Sequence, residues 1–403
     1  MAHKPLRVLM VGREYPPYIV GGVATHTRSL VRALRRRGHV VDVVSFGYGG
    51  VVRESQRGRV FFIEPSSSII SRRDEGVARD ARVPYDIVRL VSFVQGLLRS
   101  SNYDVLHVQE PYVGGPIIYE KKVTTIHDTS YGEIRAIFHS GLSGHNARRL
   151  LFYASMGYLF EYLSLATSRA IIVPSPQVRD ELVHVYHAGG LAEIIVVPNG
   201  VEEPSPSEPS REKAKRVLGL GNKLVVFTTA QHVARKRLET LIHAARLLRD
   251  KWRGRAVIVI GGAGPLSPRL RRLAESHGLR GFVVFTGWIP GEKLPLYYRA
   301  ADVFVVTSEY EAGPIALLEA AIRGAAIVST RIPLFPALLR HMQNAVLYPV
   351  GDYEALARGI EMLLSDPGLR ERLGRAAVEF AKRFTWGRVA GMTEAVYRRV
   401  AAL

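Results

Sequence analysis

Short β-branched runs alternate with amphipathic helical patterns along the chain, and no other feature narrows the fold as far. In the first half the runs are LRVLMVG (6–12), HVVDVVSFG (39–47), VLHVQE (105–110), VTTIHD (123–128), AIIVPS (170–175) and EIIVVPNG (193–200). Near-continuous apolar strands separated by helices predict a parallel sheet covered on both faces. A Pro-, Ser- and Glu-rich stretch, PNGVEEPSPSEPS (198–210), then breaks the rhythm and is the expected domain boundary. The rhythm restarts with KLVVFTTA (223–230), AVIVIGG (256–262), FVVFTG (282–287), VFVVTS (303–308), AAIVST (325–330) and AVLYP (345–349). The expected fold class is therefore α/β, with two doubly wound, Rossmann-like domains. Ligands of such sheets sit beyond the carboxyl ends of the strands, where strand order reverses, so two domains face to face would make a cleft. The last helical segment, TWGRVAGMTEAVYRRV (385–400), could pack on either domain.

A chain of 403 residues with 47% hydrophobic and 23% charged residues can build two or three large cores. Fifty-five Lys and Arg against 36 Asp and Glu give a formal charge of +19. That charge suits an anionic partner: nucleic acid, an anionic bilayer surface or phosphorylated small molecules. The absence of cysteine excludes disulfides, thiolate metal sites and cysteine nucleophiles. The opening MAHKPLRVLMVG reads as a strand and not as a signal peptide. No run reaches the roughly 18 apolar residues of a spanning helix. A cytoplasmic protein is expected, with peripheral contact to the inner membrane face left open.

Chemically useful residues cluster just after strands. Gly21 and Gly22 precede the first helix, where adjacent glycines let backbone N–H groups approach a phosphate or sugar. The simpler reading is a flexible turn. His127 ends a strand and could hydrogen-bond a ligand, or serve packing alone. Arg235, Lys236 and Arg237 fall where a helix begins, opposing its dipole, so a bound pyrophosphate would account for them. A solvated basic turn is the competing account. The GGAGP turn (261–265) is a similar close-approach loop.

In EYEAGPIALLEAA (309–321), Pro314 is expected at the first helical position with Gly313 as the cap. The N–H groups of Ile315 and Ala316 would then form an anion site with Glu311 above it. Glu319 follows Glu311 with seven residues between them. Its competing role is a helix-surface ion pair with Arg323, contributing a few tenths of a kcal/mol.

Taken together, these residues resemble glycosyltransferase family 4, retaining enzymes of the GT-B fold. The resemblance runs from PPYIVGGVATHTRSLVRALRRRGHVVDVV (16–44) through TTIHD, VVPNGV and the E-x(7)-E element Glu311–Glu319. It continues through EAAIRGAAIVST (319–330), GDYEALARGIEMLL (351–364) and FTW (384–386). It implies an acceptor-binding domain over 1–198, completed by a return helix at about 385–403, and a nucleotide-sugar domain over 199–384. Carried over by position, Gly22 lies against the donor, His127 contacts the transferred sugar, and Lys236 holds the pyrophosphate. Glu319 takes the ribose hydroxyls, Glu311 the sugar hydroxyls, and the amides around Ile315 cradle the diphosphate. The family needs no metal or other cofactor, and front-face attack through an oxocarbenium-like ion pair is its favoured mechanism.

Three departures stand out. Ala230-Gln231-His232 replaces the usual Gly-Arg-Leu, removing a phosphate-binding arginine for which Arg235 could substitute. Ala312-Gly313-Pro314 replaces Gly-Phe-Gly, and Glu202 replaces an Asp after Asn-Gly-Val.

The leading expectation is a transferase moving a hexosyl group from a UDP-, GDP- or ADP-sugar to a lipid-linked, glycan or small-molecule acceptor. Basic segments at 30–39 and 147–163 suit either an anionic bilayer or plain sheet packing. An α-glucan synthase shares the fold, but Ile19-Val20-Gly21-Gly22 replaces its Lys-Thr-Gly-Gly loop. A nucleotide-sugar-binding protein without transferase activity would require loss of a key residue. Nucleic-acid binding is not expected, since no aromatic-interleaved basic motif accompanies the charge.

Overall fold

Leu9 and Val11 project from β1 (Arg7–Val11) into one buried cluster while Val8 and Met10 project into another, and all four are fully buried. Uniform burial with alternating direction is what a strand between two helical layers requires. In the computed structural model, which describes residues 4–18, 21–67, 69–70, 82–140, 147, 150–332 and 339–402, this pattern builds two sheets. Ile19, Val20, Arg148 and Arg149, which figure in the sequence reading, lie outside the described residues.

The first sheet continues with β2 (Val40–Phe46), β3 (Val51–Ser55), β4 (Gly58–Ile63), β5 (Val105–Val108), β6 (Lys122–Thr125), β7 (Ala170–Val173) and β8 (Glu193–Val196). Its order is β3-β4-β2-β1-β5-β6-β7-β8, parallel except for the β3–β4 pair. That pair is absent from the sequence reading. It is an antiparallel edge hairpin turning at Gln56 and Arg57, without the crossover helix that marks the other strands. One face is covered by the helix Gly22–Arg36, through Leu30, Val31 and Leu34, and by Val389, Ala390 and Tyr397 of the helix Trp386–Ala401. Arg37 Nε donates to Glu394 at 2.7 Å across this packing. The helix Val83–Ser100 covers the other face through Val83, Ile87, Leu90 and Val94. Each large aliphatic side chain so buried contributes on the order of 1.5–3 kcal/mol.

The second sheet comprises β9 (Leu224–Thr229), β10 (Ala256–Gly261), β11 (Val283–Gly287), β12 (Val303–Val306), β13 (Ala326–Thr330) and β14 (Val346–Tyr348). All its pairs are parallel, in the order β11-β10-β9-β12-β13-β14. Helices Leu238–Trp252 and Tyr353–Ser365 cover one face, and Ile315–Ile322 and Pro367–Ala381 the other. Short-range signals fix several helix starts. Asp352 accepts from the Ala355 N–H at 2.8 Å, and Asp366 from the Leu369 N–H at 2.9 Å ahead of Pro367.

The chain divides into one unit of Met1–Gly200 with Trp386–Leu403 and another of Val201–Thr385. No described helix is long and apolar enough to cross a membrane.

The GGAGP turn is explained by packing. Gly262 has φ +105, and a Cβ there would sit 1.9 Å from the Ala230 carbonyl oxygen. Gly264 likewise backs onto the His232 main chain. Gly262→Ala is expected to destabilise the protein by about 1–3 kcal/mol or more, measured by denaturant unfolding. An unchanged midpoint would contradict this account.

Candidate functional site

In the second sheet the strand order reverses between β9 and β12, so the helices that follow them lie on opposite faces and the loops between strand and helix meet at the sheet's carboxyl edge. After β9 the chain makes a short 3-10 turn, Ala234–Lys236, and Arg237 adopts a left-handed conformation (φ 45) before the helix begins at Leu238. After β12 comes the Ser308–Pro314 loop. The two loops are stitched together by the Glu309 N–H donating to the Arg235 carbonyl at 3.0 Å and by the Thr307 hydroxyl on the Lys236 carbonyl.

That stitching brings Lys236 Nζ to 2.6 Å from Glu311 Oε1, with both side chains 13% exposed. The Ser308 hydroxyl donates to the same oxygen at 2.6 Å. Burial pushes the Glu311 carboxyl up, but Lys236 and then Arg235 more than offset it, leaving it below its usual range. Arg237 pairs with Glu309 at 2.9 Å. The basic turn is thus held by carboxylates from the neighbouring loop and is not simply solvated.

The start of the next helix differs from expectation. Pro314 is the N-cap and Ile315 the first helical residue. Pro314 has φ −78 and ψ 85, close to an inverse γ-turn, and the Ile315 N–H closes on the Gly313 carbonyl at 3.0 Å. Ile315 therefore does not offer its N–H outward. Among the described residues the Ala316 N–H has no partner, and Pro314 supplies no side-chain cap.

Glu319 does pair with Arg323, as the simpler reading required, yet this is not a surface pair. Arg323 is only 3% exposed and also grips Glu208 through Nη2 at 2.8 Å and Nε at 3.1 Å. Burial lifts the Glu319 carboxyl above its ordinary range against the pull of Arg323.

The first sheet reverses order between β1 and β5. Arg13, just after β1, donates its N–H to Glu110 Oε2 at 2.9 Å, and the Tyr112 hydroxyl also bonds Glu110. Glu14, only 1% exposed, accepts the Gly21 N–H at 2.7 Å. Among the described residues, a Cβ on Gly22 would meet no other atom within 4 Å, so packing against them does not require glycine there.

His127 follows β6 and its Nε2 lies 3.2 Å from Gln109 Oε1, just past β5. Its ring meets His26 edge-on at 4.6 Å, and His26 in turn meets Trp386 at 5.0 Å. Burial, with a smaller contribution from His107, lowers the His127 pKa to about 3. His107, bonded to Tyr397 and Thr125, is likewise lowered by burial to about 3.

Gln109, His107, His26, Glu14 and Arg13 were not singled out in sequence. The usable signal is their position within or beside the carboxyl ends of β1 and β5, or on the helix after β1; in VLHVQE the pattern alone marks a strand and does not separate its polar residues. Both ring pKa values lie below the unfolded value, so their stabilising effect is complete above about pH 6.5 and is lost as pH falls toward 3. Ring C–H NMR signals of His107 and His127 should stay in the neutral position from about pH 8 to 5. A midpoint near 6.5 for either would overturn the assignment.

Family profiles match both halves: Glycosyltransferase Family 4 over residues 20–203 and Glycosyl transferases group 1 over residues 210–380. An uncharacterized glycosyltransferase of Methanocaldococcus jannaschii is 27% identical, with 98% of each chain covered. A glycogen synthase of Mycobacterium tuberculosis is also 27% identical, covering 97% of this chain and 94% of its own. Sucrose-phosphate synthase from Thermosynechococcus elongatus superposes with a TM-score of 0.78 at 20% identity, covering 98% of this chain and 99% of its own. Since the two profiles take in both α/β units, the chain belongs to the family 4, group 1 glycosyltransferases and is an enzyme of the GT-B fold.

Proposed function

We propose that this glycosyltransferase moves a hexosyl group from a nucleoside diphosphate sugar to a glycan, lipid-linked or small-molecule acceptor, with retention and without a metal. The observation that carries the reading is the Lys236–Glu311 pair at the switch point of the second sheet. A pyrophosphate there would meet the Lys236 ammonium, Arg235 and the Ala316 N–H, a charge-assisted set of donors. These groups stabilise the departing diphosphate electrostatically, the role a metal would otherwise fill. Glu311 takes the sugar hydroxyls and Glu319 the ribose hydroxyls. Gly22, at which a Cβ would meet no other atom within 4 Å among the described residues, lies against the donor.

In the first unit, His127 contacts the transferred sugar while the acceptor hydroxyl attacks the anomeric carbon from the leaving group's side. The bond to the diphosphate oxygen breaks as the new glycosidic bond forms, and the acceptor's proton passes to the departing phosphate. A lipid-linked acceptor is favoured by the segment around residues 151–162, which leaves Leu151, Met156, Leu159 and Tyr162 exposed in a strongly basic chain. An α-glucan acceptor is the second reading, supported by similarity to a glycogen synthase across nearly the whole chain.

Thermal-shift screening against UDP-, GDP- and ADP-sugars is expected to single out a stabilising donor. If none stabilises the protein, the proposal fails. Co-sedimentation with anionic vesicles that salt abolishes would support the lipid surface over glucan, and no co-sedimentation would remove it. Lys236→Ala should weaken nucleoside diphosphate binding about 10- to 100-fold, the scale of lost charge-assisted hydrogen bonds, by calorimetry on protein of checked unfolding midpoint. His127→Ala should instead lower kcat about 10- to 100-fold with diphosphate affinity retained, and EDTA should leave the parent's turnover unchanged. Unchanged activity in both variants would remove this site from the reaction.

A further inference from the structure

Gln109 is fully buried one residue past β5, and its amide bridges two groups of opposite demands. Its Nε2 lies 3.0 Å from Met10 Sδ and its Oε1 lies 3.2 Å from His127 Nε2. The two ends of an amide have the same shape, and their surroundings distinguish them. A thioether sulfur only accepts hydrogen bonds. At the same end the amide nitrogen sits over the His107 ring, 3.2 and 3.4 Å from its nitrogens. Those nitrogens already face the Thr125 hydroxyl at 2.7 Å and the Tyr397 hydroxyl at 2.5 Å. An amide oxygen turned toward Met10 would be a buried acceptor against the sulfur lone pairs, which is costly. The N–H end therefore belongs at Met10 and the carbonyl at His127.

A carbonyl oxygen only accepts, so His127 Nε2 must carry a proton. The ring is neutral, because burial and His107 hold its pKa at about 3. Its single proton is thus spent on Gln109, and Nδ1 is left with a lone pair. Among the described residues Nδ1 has no hydrogen-bond partner, and His127 is only part-buried.

We infer that Gln109, oriented by Met10, is a positioning residue that fixes His127 as the Nε2–H tautomer, so that His127 meets the transferred sugar as a hydrogen-bond acceptor. This rests on the proposed contact between His127 and the sugar. It specifies the chemistry of that contact: Nδ1 takes an O–H from the sugar and cannot donate to an oxyanion. A lone pair is also compatible with positive charge developing on the sugar ring, whereas an imidazolium would oppose it. The site should accordingly favour a donor with a hydroxyl at that position over one with a carboxylate, which would set acceptor against acceptor.

The tautomer can be read in the full-length, 15N-labelled protein without substrate, from ring nitrogen-to-carbon-proton correlations assigned by their loss in His127→Gln. The parent should show protonated Nε2 and bare Nδ1. Gln109→Leu should release the ring into a mixture of tautomers, and Gln109→Glu, which keeps an acceptor, should restore Nε2–H. With the donor found by screening, Gln109→Leu should lose about 10-fold in kcat, the scale of one hydrogen bond, with diphosphate affinity unchanged. A parent ring protonated on Nδ1 overturns the inference, and it does so even if Gln109→Leu fails to fold. Retained Nε2–H in Gln109→Leu, or a lost tautomer with unchanged turnover, also overturns it. Because the ring is read without substrate, failure of every nucleotide sugar would sink the proposed reaction separately from the tautomer assignment.

Discussion

A parallel strand cannot pair directly with its successor; the chain must first cross back over a face of the sheet. Each strand pair therefore needs a covering helix, and strands covered on both faces must be apolar on both. Val8, Leu9, Met10 and Val11 in the first sheet, and Val225, Val226 and Phe227 in the second, obey that demand without exception. The same constraint makes the crossovers run to opposite sides somewhere along the sheet. At that point two adjacent strands send their helices to opposite faces, and polar residues in the loops between escape the core. β1 with β5 and β9 with β12 are those pairs.

Polar groups so gathered are half in the protein and half out, and their partners decide what they can do. Lys236 and Glu311 neutralise one another within hydrogen-bonding distance, so the edge holds both a cation and a carboxylate without isolating either in a low-dielectric setting. A diphosphate and a sugar hydroxyl could exchange into those contacts. Around β5 a different balance holds. His107, Gln109 and Thr125 are buried and linked by hydrogen bonds, with Tyr397 of the last helix closing the far end. The last helix thus supports the interior of the first unit at the level of individual donors and acceptors, and not only through its apolar stripe.

Much of this was legible from one dimension. The parallel rhythm survives translation into coordinates because the period of burial is a local property of the strand. His127 was selectable because it stands at the end of VTTIHD. Other features were not legible. The β3–β4 hairpin lacks a crossover helix and has Val51 and Val52 exposed, so its composition resembles a loop. Pro314 suits either the cap or the first helical position, and the closure of the Ile315 N–H onto Gly313 decides between them. The Glu319–Arg323 spacing predicted a pair, but its burial and the second carboxylate on Arg323, from Glu208, come from tertiary packing.

By itself the sequence determined the α/β class, the strands that needed two covers, the break near residue 200, and the residue types at the strand ends. It could do so because apolar periodicity and turn chemistry act over a few residues. Tertiary structure alone decided which strand ends became neighbours, and hence that Lys236 meets Glu311 across 75 residues and that Gln109 meets both Met10 and His127. Strand order and register set those meetings, and with them the direction of each hydrogen bond. The proton on His127 is the clearest case: its place depends on a sulfur atom in β1, reached through an amide beyond β5.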